Sequence, residues 1–176
     1  YNPIEMCKTN IDGAINVIEA ARDAGFSATP SLRKVIMLSS DKAWQPCSPY
    51  GYSKAMAEAL FLAANGSPGR FGPLFSITRY GNVWNSAGSV LPRWRGLMAA
   101  GEPIPVTDPN CTRFFMLMQE AVDLVWNTLQ TMEGGELVIP EDLPAYRLGD
   151  LALAMLEGNF AQAIGAGTRV IGLPPY

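Results

Sequence analysis

The chain has 176 residues, 48% of them hydrophobic, which suits one globular domain with a real core or a large piece of a bigger one. A formal charge of −3, with 13 Lys and Arg scattered along the chain, argues against a nucleic-acid footprint and against a polybasic membrane patch. No apolar run approaches the roughly 18 residues of a membrane span, and no signal-peptide pattern opens the chain. The absence of histidine excludes histidine triads and histidine-ligated metals. Cys7, Cys47 and Cys111 have no metal-type spacing, and their odd number suits a reducing compartment, with the cytoplasm as the default.

In chain order, residues 2–25 place Ile4, Ile11, Ala14, Ile15, Val17, Ile18 and Ala21 near the spacing of one helix face, with Pro3 in the first turn and Gly25 as a stop. "SLRKVIMLSS" runs Val35, Ile36, Met37 and Leu38 together without alternation, which predicts a strand buried on both faces, as in a parallel sheet. "PYGYSKAMAEALFLAAN" predicts a second helix ending near Gly66, and "GPLFSITRYGNVW" a second buried strand with Phe75, Ile77 and Val83 inward. Residues 85–116 are turn-rich, with one short helix near Leu91–Ala100. Then come a helix over 119–132, a short strand in "GELVIP", a helix over 147–158 with Leu148, Leu151 and Leu156 on one side, and a last strand in "TRVIGLPP". Helix, strand, helix, strand and a mixed tail make an α/β pattern.

The chemistry concentrates in "SSDKAWQPCSPYGYSK", residues 39–54. Tyr50 and Lys54 stand four apart on one predicted helix, where a lysine beside a phenol favours the phenolate and makes a usable general base. Tyr-x-x-x-Lys also arises often by chance on solvated helix faces. Its place just after a buried strand changes the odds, because open α/β sheets bind ligands outside the carboxyl ends of their strands. Ser40, at that strand end, can hold a substrate oxygen. Asp41 and Lys42 read either as two solvated loop charges or as an acid and a base additional to those an alcohol oxidation needs. Elimination of water requires both.

These residues resemble a known family. "NPIEMCKTNIDGAINVIEAA", "SSDKAWQPCSPYGYSK", "TRYGNVWNSAGSVLP", "PVTDPNCTRFFM", "GGELVIP" and "VIGLPPY" follow, in order, the motifs of the extended short-chain dehydrogenases/reductases, and within them the UDP-N-acetylglucosamine 4,6-dehydratases of polysaccharide biosynthesis. The resemblance implies a partial Rossmann-like, doubly wound parallel sheet with a small mixed substrate-binding subdomain. Residues 1–84 would form the C-terminal part of the Rossmann-like domain and carry the catalytic motif, and residues 85–176 mostly the substrate-binding subdomain, some segments returning to the core. By the same resemblance Tyr50, helped by Lys54 and Ser40, removes the sugar 4-hydroxyl proton as hydride passes to NADP (or NAD), Tyr50 and Lys54 also holding the cofactor. Lys42 takes the C5 proton, Asp41 protonates the leaving 6-hydroxyl, and hydride returns to C6. Asn82 and Arg113 match substrate-binding positions, Arg113 suiting a diphosphate through forked hydrogen bonds. Asn10 and Asn16 read as structural helix residues, and Trp44, Trp84 and Trp94 as pocket lining or packing.

The family's glycine-rich dinucleotide loop has no counterpart. The one literal match, Gly66, Gly69 and Gly72 in "GSPGRFG", follows a helix and precedes a strand, the reverse of the required order, contains Pro68, and reads as a connecting loop. The chain therefore resembles the C-terminal half of a dehydratase, stopping inside a segment internal to the family. The expected partner is a UDP-sugar, with no nucleic acid and no membrane segment, in a homo-oligomer joined through helices like 3–24 and 50–64. The alternatives are a UDP-sugar 4-epimerase of the same scaffold and a non-catalytic remnant that binds a partner or sugar nucleotide.

Overall fold

The computed structural model describes residues 2–25, 32–66, 72–158 and 168–170. In chain order they form α1 (Pro3–Cys7), a π-helical turn (Lys8–Asp12), α2 (Gly13–Gly25), β1 (Lys34–Ser40), a 3-10 turn (Asp41–Ala43), α3 (Pro49–Ala63), a second 3-10 turn (Ala64–Gly66), β2 (Leu74–Tyr80), β3 (Asn82–Val83), α4 (Val90–Ala99), β4 (Ile104–Val106), β5 (Thr112–Met116), α5 (Met118–Thr131), β6 (Leu137–Val138), β7 (Ala145–Arg147), α6 (Leu148–Gly158) and β8 (Thr168–Val170). Pro68 and Gly69 of the rejected glycine match, and residues 171–175 of the expected last strand, lie outside the described residues. The chain divides into two units, one of Tyr1–Tyr80 with Val122–Glu141, the other of Gly81–Ala121 with Asp142–Tyr176.

In the first unit, β1 and β2 pair in parallel from Lys34↔Leu74 to Ser40↔Tyr80, and β6 pairs in parallel with β2 at Ile77↔Leu137 and Thr78↔Val138. The expected parallel sheet is present. The core joins Ala14, Ile18 and Ala21 of α2, Ala57 and Phe61 of α3, and Phe75 and Ile77 of β2. Phe61 meets Phe75 edge to face, with ring centroids 5.8 Å apart. Each large side chain buried here contributes at most roughly 1.5–3 kcal/mol. Asn65 ties the end of α3 to β2 by imitating a strand edge: its Oδ1 accepts from the Phe75 amide (3.0 Å) and its Nδ2 donates to the Phe75 carbonyl (2.8 Å). Gly25 serves close approach, since a Cβ there would lie 2.4 Å from Pro73 Cδ.

Three expectations are corrected. The helix over 2–25 is interrupted: Asn2 caps α1 through the Ile4 and Glu5 amides, but Lys8–Asp12 forms a π turn, which loops one extra residue into the helical ladder. The strand β1 is not buried on both faces. Among the described residues it pairs only with β2 and so lies at a sheet edge, with Val35, Ile36 and Met37 half-buried and Leu38 49% exposed. The strand expected over 72–84 breaks at Gly81 into β2 and β3, which belong to different sheets.

In the second unit the turn-rich region contains more strand than its texture suggests. β5 pairs in parallel with β3 and antiparallel with β7, and β4 pairs in parallel with β8. Its core gathers Leu91, Trp94 and Met98 of α4, Ile104 and Val106 of β4, Phe115 of β5 and Ala152 of α6. Leu148, Leu151 and Leu156 pack against it from one side of α6, as their spacing predicts. Trp94 is core, its Nε1–H donating to the Pro105 carbonyl at 3.0 Å. The Trp84 ring stacks on Phe115 with centroids 4.3 Å apart.

Candidate active site

The parallel register sets β1 and β2 level at their carboxyl ends, Ser40 opposite Tyr80. Ser40 is extended and caps the 3-10 turn that follows, its Oγ accepting from the Lys42 amide at 3.3 Å. The same hydroxyl donates to Asp41 Oδ1 at 2.9 Å, and Lys42 Nζ donates to that oxygen at 3.0 Å. One carboxylate oxygen thus gathers a serine hydroxyl and a lysine ammonium. The Lys42 side chain is 43% exposed and that of Asp41 25%, so the pair is open to an incoming ligand.

The helix α3 starts beside this turn. Ser48 caps it by accepting from the Gly51 amide at 3.2 Å, and Pro49 occupies its first turn. Tyr50 follows, half-buried, its carbonyl accepting from Ser53 Oγ at 2.8 Å. Ser53 Oγ in turn accepts from Asn10 Nδ2 at 2.9 Å, so the π turn fastens the first turn of α3. One helical turn after Tyr50, Lys54 Nζ donates to the Leu38 carbonyl of β1 at 3.0 Å. Burial lowers the Lys54 pKa from its ordinary 10.5, while the Glu58 carboxylate opposes that shift. A lysine so placed gives up its proton more easily than a free one and carries its donors to the strand end.

Sequence reasoning missed the two residues behind Lys54. Glu58, 5% exposed, accepts from Ser39 Oγ (2.5 Å) and from Arg79 Nε (2.9 Å), and a second Arg79 nitrogen reaches its other oxygen. The Arg79 guanidinium lies over the Trp44 ring, 5.9 Å from its centroid. A signal existed: Tyr50, Lys54 and Glu58 repeat every four residues along one helix face, and Arg79 stands inside the matched "TRYGN".

Asn82 and Arg113 belong to the second unit. Asn82 pairs with Phe115 in the β3–β5 ladder, and Gly81 before it permits contact with Phe114, whose carbonyl oxygen would lie 2.7 Å from a Cβ. Arg113 pairs with Tyr146, and its Nη1 donates to the Thr112 carbonyl at 2.7 Å and contacts Cys111 Sγ. Among the described residues no cluster of His, Cys, Asp and Glu could hold a metal, and no helix is long and apolar enough to cross a membrane.

A parallel sheet with Ser-Asp-Lys at a strand end and Tyr-x-x-x-Lys opening the next helix is the Rossmann-like arrangement of the extended short-chain dehydrogenases/reductases. The family model described as polysaccharide biosynthesis protein matches residues 1–175, and the chain belongs to that family. It is 41% identical over 166 residues to the UDP-N-acetylglucosamine 4,6-dehydratase (inverting) of Campylobacter jejuni subsp. jejuni serotype O:23/36 (strain 81-176), covering 94% of this chain and 48% of the relative. It is 37% identical over 160 residues to the UDP-glucose 4-epimerase of Rickettsia bellii (strain OSU 85-389), covering 91% of this chain and 45% of the relative. The X-ray structure of Pen from Bacillus thuringiensis superposes with a TM-score of 0.88 at 35% identity, over 99% of this chain and 52% of that one. The chain spans about half the length of the curated relatives it matches.

Proposed function

We propose that this chain carries the acid–base half of a nucleotide-sugar 4,6-dehydratase acting on UDP-N-acetylglucosamine or a related UDP-N-acetylhexosamine, with NADP or NAD as cofactor. The observation that carries the reading is the Asp41–Lys42 ion pair, capped by Ser40, at the same strand end that Lys54 reaches. Plain alcohol oxidation has no use for that extra pair, and water elimination does.

Tyr50 takes the proton of the sugar 4-hydroxyl, and Lys54 favours the phenolate that accepts it. A bound nicotinamide dinucleotide supplies the hydride acceptor for C4 and the donor for C6. Lys54, with a donor already at the strand end, suits the hydroxyls of such a cofactor. Once C4 is a ketone, the C5 proton is acidic and Lys42 removes it while Asp41 protonates the departing 6-hydroxyl. The step needs the proton on the acid and not on the amine. A shift along the 3.0 Å contact from Nζ to Oδ1 leaves a neutral amine and a protonated acid. Elimination then returns the proton to lysine and leaves aspartate ionised; hydride arriving at C6 is matched by one proton delivered to C5, which balances the proton Tyr50 took from the 4-hydroxyl.

Asn82 and Arg113 are assigned to the sugar and the diphosphate, Arg113 through forked hydrogen bonds. Free Cys7, Cys47 and Cys111 suit a reducing cytoplasm. Exposed Ile4, Val17, Tyr52 and Met56 on α1, α2 and α3 fit burial against a second copy.

The test is product analysis with UDP-N-acetylglucosamine on the full-length parent, together with a calorimetric titration of NADP⁺ into this chain alone. A 6-deoxy-4-keto sugar supports the reading. The second reading, a UDP-sugar 4-epimerase, is favoured by the Rickettsia relative and would give a C4 isomer with no loss of water. Lack of NADP⁺ binding to the isolated chain would support a cofactor site completed by other segments. Tight binding would overturn that division of labour.

A further inference from the structure

We propose that Trp44 is a positioning residue, held by the buried Glu58–Arg79 pair, that fixes the Asp41–Lys42 turn for the elimination step; this rests on the dehydratase reading of that turn. Stability gives a buried ion pair little reason to exist, because apolar residues of similar volume often serve as well. Here the pair also prepares a surface. Glu58 grips Arg79 through both of its oxygens, and the Arg79 side chain is 16% exposed, so its guanidinium plane is fixed. Trp44 is 67% exposed and has little packing of its own, yet its ring meets that cation.

Trp44 is also the cap of the catalytic turn, its amide donating to the Asp41 carbonyl at 3.1 Å. A three-residue 3-10 turn is weak by itself. The next residue, Gln45, has φ of 43°, a left-handed conformation that persists only where the surroundings impose it. The ring anchor at Arg79 therefore stands immediately after the two groups whose placement matters most, and before a strained residue. Without it the turn exchanges between competent and incompetent arrangements, and turnover falls with the competent fraction while the substrate site is untouched.

The experiment uses the full-length holoenzyme with Trp44→Ala, Trp44→Phe and Arg79→Lys. Trp44→Ala is expected to lower kcat for water loss about two- to fivefold, the equilibrium equivalent of an exposed cation–π contact. KM and the first hydride transfer, followed as reduced-nicotinamide absorbance in a single turnover, stay within a factor of about two, and Trp44→Phe restores kcat. Arg79→Lys keeps the charge but loses the plane and should behave like Trp44→Ala. Equal loss in both half-steps, or no loss in either, overturns the proposal. Hydrogen exchange without ligands reads the same claim independently of activity. Amides of residues 42–45 should exchange about two- to fivefold faster in Trp44→Ala, with those of 75–79 unchanged. If the parent makes no 4-keto product, the dehydratase reading falls, and this exchange result alone decides whether Trp44 orders the turn.

Discussion

A Cβ at residue 51 would lie 2.4 Å from the carbonyl oxygen of Lys42 and 3.0 Å from Pro46 Cβ. Only a glycine lets the first turn of α3, which carries Tyr50, sit against the turn that carries Asp41 and Lys42. Backbone cannot yield as a flexible side chain would, so Gly51→Ala should force the two apart. We expect a loss of roughly 1–3 kcal/mol in urea unfolding, and a fall in turnover that persists when the variant is assayed fully folded. An alanine variant of unchanged stability and rate would mean that the contact is dispensable.

Lys42 is exposed enough that its removal should spare the fold. Lys42→Ala in the full-length protein should keep its thermal midpoint and lose water elimination by about 10²- to 10⁴-fold. Asp41→Asn, which keeps the shape but cannot deliver the proton, should fail at the same step. Detecting oxidised C4 without loss of the 6-hydroxyl in either variant would assign the block to elimination.

The lowered Lys54 pKa has a pH signature. In the folded state the amine releases its proton below 10.5, whereas the unfolded chain holds it until 10.5. Between the two values the unfolded state binds more protons, so this residue's contribution to stability grows with pH through that window. It is complete above 10.5 and is lost as pH falls through the folded value. Denaturation of wild type and Lys54→Met from pH 8 upward should show the difference moving in favour of wild type. A flat or opposite trend would contradict the burial of this amine.

Glu136 acts at a turn distant in sequence from residues 39–54. Burial would raise its pKa, but hydrogen bonds from Ser76 and from the Glu133, Glu136 and Gly134 amides prevail and hold it below 4.5. Its Oε1 accepts from the Glu133 amide at 2.6 Å and its Oε2 from the Gly134 amide at 2.9 Å, where Gly134 has φ of 97° and Gly135 of 91°. Glu136→Gln should cost roughly 1 kcal/mol near neutral pH, the low end for a partly solvated group. The advantage of wild type, full above 4.5, should vanish as pH falls through the folded value, which acid titration of both proteins will read.

The parallel sheet was legible because an unbroken apolar run and a buried strand after a helix leave few other arrangements, and the position of Ser40, Asp41 and Lys42 at its strand end followed from that placement. The exposure of Leu38 was not, since periodicity reports which residues are apolar and not which strands lie beside them. The short strands β4, β5 and β7 escaped because three- to five-residue strands amid Pro and Gly are defined by their partners rather than by their own propensity. In the site, the four-residue spacing of Tyr50 and Lys54 was plain. The tie between Glu58 and Arg79 joins positions 21 apart, and nothing local in the sequence announces it.

The π turn at Lys8–Asp12 makes the length of the opening helix a matter of phase. Successive α-helical residues point about 100° apart, and a π turn absorbs one residue more than an α turn, so deleting one residue there would restore an ordinary α-helix with later side chains near their former phase while those within the turn lose theirs. Asn10 would no longer face Ser53 while Ala14, Ile18 and Ala21 kept their places in the core. The surplus residue lets one rod satisfy two mismatched clocks, the spacing of the core and the position of the tyrosine turn. A single-residue deletion in this stretch should therefore be more damaging to activity than a substitution at any of its exposed positions.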